Sequence, residues 1–345
     1  MKIGITFNLR QEVPAEKGPI DLFEEFDCKE TIQAIAQILS EMGHEVKELG
    51  WGKEFLQNIL SEKIDLVFNI AEGMGKRSRE AQVPAVLEML DIPYTFSDTQ
   101  TLTICMDKAL TKKIVSTIGV KTPKYFVTTT AGGVRKHRLR FPLFVKPALE
   151  GSSKGIRLHS IVKDQAELEQ QVTWVLKEYG PLPVLVEEFI RGREVTVGVL
   201  GNDKPHILGI MEIRGKNAGD EFVYSLEVKR NWQEEVEYCC PSELDHLTAK
   251  RIARDALKAY TLLGCRDAAR FDFRVDCLGQ PYFLEVNPLA GLSPEYSDLT
   301  IMAKKSGYDY PWLIRTIVNL AIERNGIETE PVNTTKLHGC VEKPL

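Results

Sequence analysis

The segments Arg270-Phe-Asp272-Phe-Arg-Val and Phe283-Leu-Glu285-Val-Asn287-Pro are joined by Cys277-Leu-Gly279-Gln, which reads as a hairpin turn. Residues two apart on a strand share a face, so Arg270 and Asp272 point one way, as do Glu285 and Asn287. Two carboxylates and an amide, with no thiol or imidazole, form a hard oxygen set suited to Mg2+ bridging phosphate oxygens. An arginine on the same face suits negative charge that develops beside such a metal. The plain alternative is a hairpin whose polar face meets water. Phe271, Phe273, Val275, Phe283, Leu284 and Val286 argue instead for a buried sheet, where those charges need a cation or partner.

Two further segments bear on phosphate and nucleotide chemistry. Lys146 ends the hydrophobic run before Pro147, an expensive place for an ammonium without an anion. Glu150-Gly-Ser152-Ser153-Lys154-Gly155 follows, and its glycines let backbone N–H groups approach a phosphate while hydroxyls and Lys154 add donors. Alone, such a loop is as well read as a hairpin; its place after Lys146 and ahead of the metal-suited hairpin gives it weight. Leu185-Val-Glu187-Glu188-Phe189-Ile190 is an edge-like segment whose backbone could meet a flat base, with Glu194 placed to accept from ribose hydroxyls. No GxGxxG follows a strand, which leaves a dinucleotide reading without support.

The elements that must carry these residues come from 345 amino acids, too many for one core, with hydrophobic and charged contents usual for a globular protein. A net charge of −5 argues against nucleic acid or anionic membrane as main partners. Apolar runs are strand-sized, and the N-terminus starts as a strand without signal-peptide features. Seven cysteines without CxxC spacing predict reduced thiols and a cytoplasmic location, with Cys239-Cys240 structural. Six scattered histidines offer no zinc pattern.

Along the chain, residues 1–103 alternate strands (Lys2–Phe7, Glu45–Leu49, Asp65–Ile70, Ile92–Thr95) with helices (Lys29–Met42, Glu80–Leu90), an N-terminal Rossmann-like α/β domain. Two loops leave its strand ends, Asn8–Glu12 and Ala71–Glu80; the second is read equally as a solvated loop or a substrate contact. A central unit, 104–182, opens with a helix from Met106 to Gly119. Strands are expected at Lys124–Val127, Phe141–Lys146 and Ile156–His159, then a helix opened by an Asp164/Glu167 capping box. The basic run Arg135–Arg140 reads as a solvated turn. A third unit, 183–325, is expected to be β-rich to about Tyr238, then a helix over Glu243–Leu263 stopped by Gly264, the hairpin and two helices. Residues 326–345 read as a polar tail.

Taken together, Lys108, VKPALEGSSKGI, VEEFIRGREVTVGVLG, EVKR and ARFDFRVD…YFLEVNPLAGLSPEYSDL resemble an ATP-grasp enzyme of the D-alanine–D-alanine ligase type from about Ile64 to Asn325. The resemblance implies α/β and α+β domains in an ATP-grasp fold, with ATP between the last two. It implies Lys108, Lys146 and Lys229 facing the phosphates. Glu187, Glu188, Phe189, Ile190 and Leu284 would lie at the base, Glu194 at the ribose and Ser153 on the closing loop. Asp272, Glu285 and Asn287 would hold one or two Mg2+ ions, Mn2+ being a substitute. Arg270 and the Gly291 N–H would hold the tetrahedral intermediate, Ser152 would order the first substrate, and Ser297 would lie at the substrate. A homodimer through the N-terminal domain is an open alternative.

The chain also departs from that family. AEGMGKRSRE stands at Ala71–Glu80 where the family carries HGxxGEDG, the N-terminal ExxVS motif is not recognisable, and Arg230 replaces the tyrosine after the active-site lysine. The expected activity is therefore an ATP-dependent carboxylate–amine ligase acting on amino acids or short peptides through an acyl phosphate. The alternatives are D-alanine–D-alanine ligation with a rebuilt first subsite, and a non-catalytic ATP-binding module. Arg230, with Arg79 and Glu80, predicts a first substrate with an extra acidic group or a blocked or displaced amine; otherwise Arg230 pairs with Glu227 or Glu234.

Overall fold

The computed structural model describes residues 1–10, 18–75, 77–180, 182–216, 219 and 221–328. The first sheet is parallel. Strand β1 (Lys2–Phe7) lies between β2 (Glu45–Gly50) and β3 (Leu66–Ile70). Helix α1 (Lys29–Glu41) covers one face because Ile32, Ile35 and Leu39 recur at helical spacing and are buried against Ile3, Ile5 and Phe68. Helices α2 (Gly52–Ser61) and α3 (Gln82–Met89) cover the other. The expected fourth strand at Ile92–Thr95 is a single bridge, Val67 to Tyr94. Pro93 has no N–H to extend the ladder, and Phe96 turns left-handed at φ 69°.

One helix was expected before Gly119; two are present. Helix α4 (Thr99–Met106) is followed by α5 (Lys108–Ser116), and Asp107 caps α5 by accepting from the Leu110 N–H at 3.0 Å. An antiparallel sheet follows in the order β4 (Tyr125–Thr128), β7 (Val184–Glu188), β5 (Leu143–Pro147) and β6 (Ile161–Val162), backed by α6 (Gln165–Tyr179). Asp164 caps α6 as expected, but Glu167 reaches back to the Lys163 N–H rather than to that of Asp164. Ile156–His159 is not a strand. Ser160 accepts from the Arg157 N–H, and the Arg157 guanidinium is drawn 2.8 Å from Asp21, which tightens Leu158–Ser160 into a 3₁₀ turn.

The third sheet, also antiparallel, runs β10 (Val236–Cys239), β9 (His206–Gly215), β8 (Arg193–Leu200), β11 (Ala268–Val275), β12 (Pro281–Asn287). Between β9 and β10 the expected continuous β structure is broken by two short helices, α7 (Leu226–Arg230) and α8 (Trp232–Glu235). Ser225 caps α7, and that helix presents Lys229 and Arg230. Helix α9 (His246–Leu263) packs Ile252, Ala256 and Tyr260 on Phe271, Phe273 and Phe283, and stops at left-handed Gly264 (φ 74°). Helix α10 (Asp298–Lys305) lies on β8 and β9, and α11 (Tyr310–Arg324) packs between it and α1. The expected tail lies outside the described residues beyond 328.

Asp267, just before β11, ties these layers together. Its fully buried carboxylate accepts from the Phe96 N–H (2.7 Å), Asn202 (3.1 Å) and Arg324 (3.1 and 3.2 Å). Removing it leaves a buried N–H without its acceptor and a part-buried guanidinium without its counter-charge. Asp267→Ala should therefore lower stability by about 3–5 kcal/mol. Urea unfolding measures this, and a loss within experimental error would show that the network does not hold β11 in place.

Candidate functional site

Two adjoining cavities lie over the β11–β12 hairpin. One, of about 80 Å³, sits between the second and third sheets and is lined by Phe144, Lys146, Phe189, Ile190, Glu194 and Leu284, among others. The other, of about 230 Å³, opens towards the first sheet; its lining includes Glu72, Glu80, Lys108, Arg230, Gly291 and Ser297. Ser152, Lys229, Arg270, Glu285 and Asp298 belong to both. Whatever occupies one cavity therefore meets the other's occupant at this wall.

The hairpin register sets Arg270 opposite Asn287 and Asp272 opposite Glu285. A register shift follows Asp272, where Phe273 pairs with Phe283 and leaves Leu284 as the extra residue of a bulge. Leu284 and Glu285 consequently both line the smaller cavity, which strict alternation does not allow. Phe283 and Val286 still point into the α9 core.

Charge in this wall is closely balanced. Arg270 donates to both Asp272 oxygens, at 3.1 and 2.9 Å, and its third nitrogen lies 3.2 Å from Asp298. Asp272 also accepts from Thr196 (2.7 Å) and Asn287 (3.1 Å). Lys146 is 2.9 Å from Glu187 and 3.9 Å from Glu285, Lys112 is 2.9 Å from Glu187, and Lys108 is 3.4 Å from Glu285. Burial alone would lower the Lys146 pKa, but Glu187 and Glu285 outweigh it and keep the ammonium charged. Burial opposes ionisation of Glu285 as well, yet Lys108, Lys146 and Arg270 pull its carboxyl down to about 2. Burial lowers the Lys229 pKa, and among the described residues no carboxylate forms an ion pair with it.

In the smaller cavity the Phe144 and Phe189 rings stack at 6.1 Å, and the Arg274 guanidinium covers Phe189 at 4.6 Å. Arg274 also donates to the carbonyls of Ile190, Gly192 and Phe222 and lies 3.2 Å from Glu194. Arg274 lies between Phe273 and Val275, and that apolar setting was its one sequence signal; Lys112, between Thr111 and Lys113, had none. Glu187 is consumed by Lys112 and Lys146, and Glu188 accepts from the Arg140 N–H at 3.1 Å.

The glycine–serine loop is strained. Ser152 and Ser153 adopt φ of 48° and 60°, and Gly155 74°. Residues 18–27, which sequence reasoning passed over, hold it. Glu25 accepts from the Gly151 N–H (2.8 Å), Lys154 (3.1 Å) and Arg79 (2.7 and 2.8 Å). Asp21 accepts from the Gly155 N–H (3.0 Å), Arg157 (2.8 Å) and Tyr179 (2.6 Å).

These contacts correct the expected substrate pocket. Arg79 does not line the larger cavity: it is buried, donates to Glu25 and the Leu149 carbonyl, and serves the loop. Arg230 does line it, but pairs with Glu24 at 2.7 Å rather than with Glu227 or Glu234. The cavity is instead rich in carboxylates, with Glu24, Glu25, Asp27, Glu72, Glu80 and Glu150 on its walls. Cations line it as well, among them Arg10, Lys108, Lys229, Arg230 and Arg270. Burial pushes Glu80 and Asp27 up to about 7 and Glu72 well above its usual range, as expected of carboxyls that lack a close cation among the described residues. Lys108 lines this cavity rather than the smaller one and donates to the Glu150 carbonyl. Gln11 and Glu12 of the first expected loop lie outside the described residues; its Asn8 accepts from the Gly73 N–H at 2.9 Å and joins the two loops.

The hard donor set fits a divalent cation. The Glu285 Oε2 is buried and meets the Lys108 and Lys146 ammonium groups at 3.4 and 3.9 Å, and Asp272 lies directly across from it. Asp272 has its four acceptor positions filled by Arg270, Thr196 and Asn287, so it would take a metal only in exchange for one of them.

Glu194 yields a test of the electrostatics. Burial outweighs Arg274 and raises its pKa to about 7 from 4.5. Its neutral form is thus favoured by folding, and the cost of ionising it appears above pH 4.5 and is complete above 7. Glu194→Gln should raise the stability of the nucleotide-free protein by up to about 3 kcal/mol at pH 8, with no difference at pH 4. Urea denaturation at both pH values reads this out, and equal stability at pH 8 would refute it.

Comparison with known proteins agrees with this geometry. The family model for the D-ala D-ala ligase C-terminus matches residues 114–319. The chain is 38% identical to the D-alanine–D-alanine ligase of Aquifex aeolicus over 84% of its own length and 93% of that protein. The crystal structure of the Bacillus anthracis D-alanine–D-alanine ligase complexed with ATP superposes with a TM-score of 0.72 at 25% identity, covering 94% of this chain and 98% of that one. The VanG D-Ala:D-Ser ligase of Enterococcus faecalis shares the fold, with a TM-score of 0.69 at 21% identity over 93% of this chain and 99% of that one. The chain belongs to the D-alanine–D-alanine ligase family and is an ATP-dependent, ATP-grasp ligase that forms carbon–nitrogen bonds.

Proposed function

We propose that this ligase joins two small amino acids, the first bound by its ammonium among the carboxylates of the larger cavity, with ATP in the smaller one. The observation that carries the reading is the shared wall of Ser152, Lys229, Arg270 and Glu285 between the two cavities. A carboxylate entering from one side there meets a phosphoryl group entering from the other. The stacked Phe144–Phe189 pair suits an adenine, Glu194 the ribose, and Lys146 and Lys229 the phosphates. Asp272, Glu285 and Asn287 would hold Mg2+, which neutralises phosphate charge when bound.

The substrate carboxylate attacks the γ-phosphorus, the bond to the β,γ-bridging oxygen breaks and ADP leaves; an amine then displaces phosphate at the carbonyl of the resulting acyl phosphate. Arg270 and the Gly291 N–H lie where the oxyanion forms, since both line the larger cavity beside the hairpin. The chain's own contribution is positioning and charge neutralisation. Carboxylates that surround the first subsite favour a free amino acid over an acidic or amine-blocked one. The D-alanine–D-alanine ligases among its relatives make D-alanine the first substrate to try.

Purified protein with ATP and Mg2+ should release phosphate and form a dipeptide from D-alanine or another member of a panel of D- and L-amino acids, assayed singly and in pairs. ATP binding without phosphate release from any pair would favour a non-catalytic ATP-binding module. Arg270→Ala should lower turnover on the order of 10²–10³-fold at saturating ATP, and Arg270→Lys should restore only part of it. A loss of no more than about threefold would remove Arg270 from the oxyanion role.

A further inference from the structure

The ligase reaction proposed above requires one more group. The attacking amine is an ammonium at neutral pH, without a lone pair, so a base must take its proton as it attacks. On the shared wall, Arg270 is a cation, Lys229 is assigned to the phosphates in the reading above, and Glu285 is the assigned metal ligand and lies 3.4 Å from Lys108 and 3.9 Å from Lys146. Asp298 remains. It opens α10, lines both cavities, and has a side chain only 6% exposed. Its Oδ2 is 3.2 Å from Arg270, while its Oδ1 is buried and meets no donor within hydrogen-bond geometry among the described residues. An unpaired carboxylate oxygen in such a place is costly unless something supplies a proton to it.

The groups that face it are Arg270 and Asp272 from β11, Lys229 from α7, Tyr224 just ahead of α7, whose hydroxyl favours the ionised carboxyl by hydrogen bonding, and Tyr238 of β10, 2.6 Å from the Tyr224 hydroxyl. Burial raises its affinity for a proton above that of an ordinary aspartate, against the pull of Arg270 and Lys229.

We propose that Asp298 is the general base of the amine-transfer step, its free Oδ1 accepting a proton from the incoming ammonium beside the Arg270 oxyanion site. The N–H electron pair becomes the nitrogen lone pair and forms the C–N bond. The carbonyl π pair moves to oxygen, then returns as the C–O bond to phosphate breaks. The second proton lost by nitrogen leaves on the phosphate. This assignment rests on the ligase reading given above.

The test compares two nucleophiles on one acyl phosphate, with D-alanine as the acid. D-alanine as amine needs a base; hydroxylamine, uncharged at neutral pH, does not. Asp298→Asn keeps the volume and an oxygen for Arg270. It should lower dipeptide formation on the order of 10²-fold, the scale of a positioned base, and leave hydroxamate formation nearly intact. Equal loss in both reactions would make Asp298 only a counter-ion for Arg270 and overturn the proposal. A second reading needs no variant. In the wild type, the ratio of dipeptide to hydroxamate rates should level off through neutral pH if the enzyme supplies the base. A ratio that climbs about tenfold per pH unit, following the free amine, would overturn it. A wild type that makes neither product from any amino acid tested sinks the ligase reading itself, and this inference with it.

Discussion

The structure depends on the balance of desolvated charge across the β11–β12 hairpin. One face of that hairpin is driven into the α9 core by Phe271, Phe273, Phe283 and Val286. The pleat then forces Arg270, Asp272, Glu285 and Asn287 onto the opposite, partly buried face. Such charges cost several kcal/mol each unless they are paired. Pairing recruits other elements: α5 supplies Lys108 and Lys112, β5 supplies Lys146, β7 supplies Glu187, and α10 supplies Asp298. Four elements are therefore drawn to one place by the need to neutralise a single sheet face. A polyanion and a divalent cation can enter that web by exchange of partners rather than by creating new buried charge.

A second dependence runs through residues 18–27. This segment leaves the first sheet and places Asp21 and Glu25 on N–H groups of the strained loop at Gly151–Gly155. Left-handed Ser152 and Ser153 are tolerated because those contacts, with Lys154 and Arg157, over-determine the loop. The same segment sets Glu24 against Arg230 and so cancels the charge that a guanidinium would otherwise present to substrate. Positioning of the loop and polarity of the substrate cavity are thus parts of one contact surface.

Much of the site was legible because it is local. A strand's period of two, a hard donor set on a hairpin, and a lysine at the end of an apolar strand each have a meaning that needs no neighbours. The motif order along the chain carried the ATP-grasp resemblance, and the fold bears it out. Arg79, Arg230 and Glu187 were less legible. Each is a long charged side chain whose role is decided by a partner far off in sequence: Glu25, Glu24, and the pair of Lys112 with Lys146. Asp21, Glu25 and Asp298 gave no sequence signal, since an acidic residue in a loop or at a helix start is ordinarily solvated or capping.

The sequence by itself determined most of the elements, the face of the β11–β12 hairpin on which its polar residues lie, and the ATP-grasp resemblance, because these follow from backbone periodicity, side-chain chemistry and motif order. Only the tertiary structure decided which charges remain available. The Leu284 bulge, the burial of Arg79, the Glu24–Arg230 pair and the unpartnered Oδ1 of Asp298 all arise from packing between elements distant in the chain. Electrostatic worth in a desolvated site is set by the nearest opposite charge, and that neighbour is chosen by the fold rather than by the local sequence.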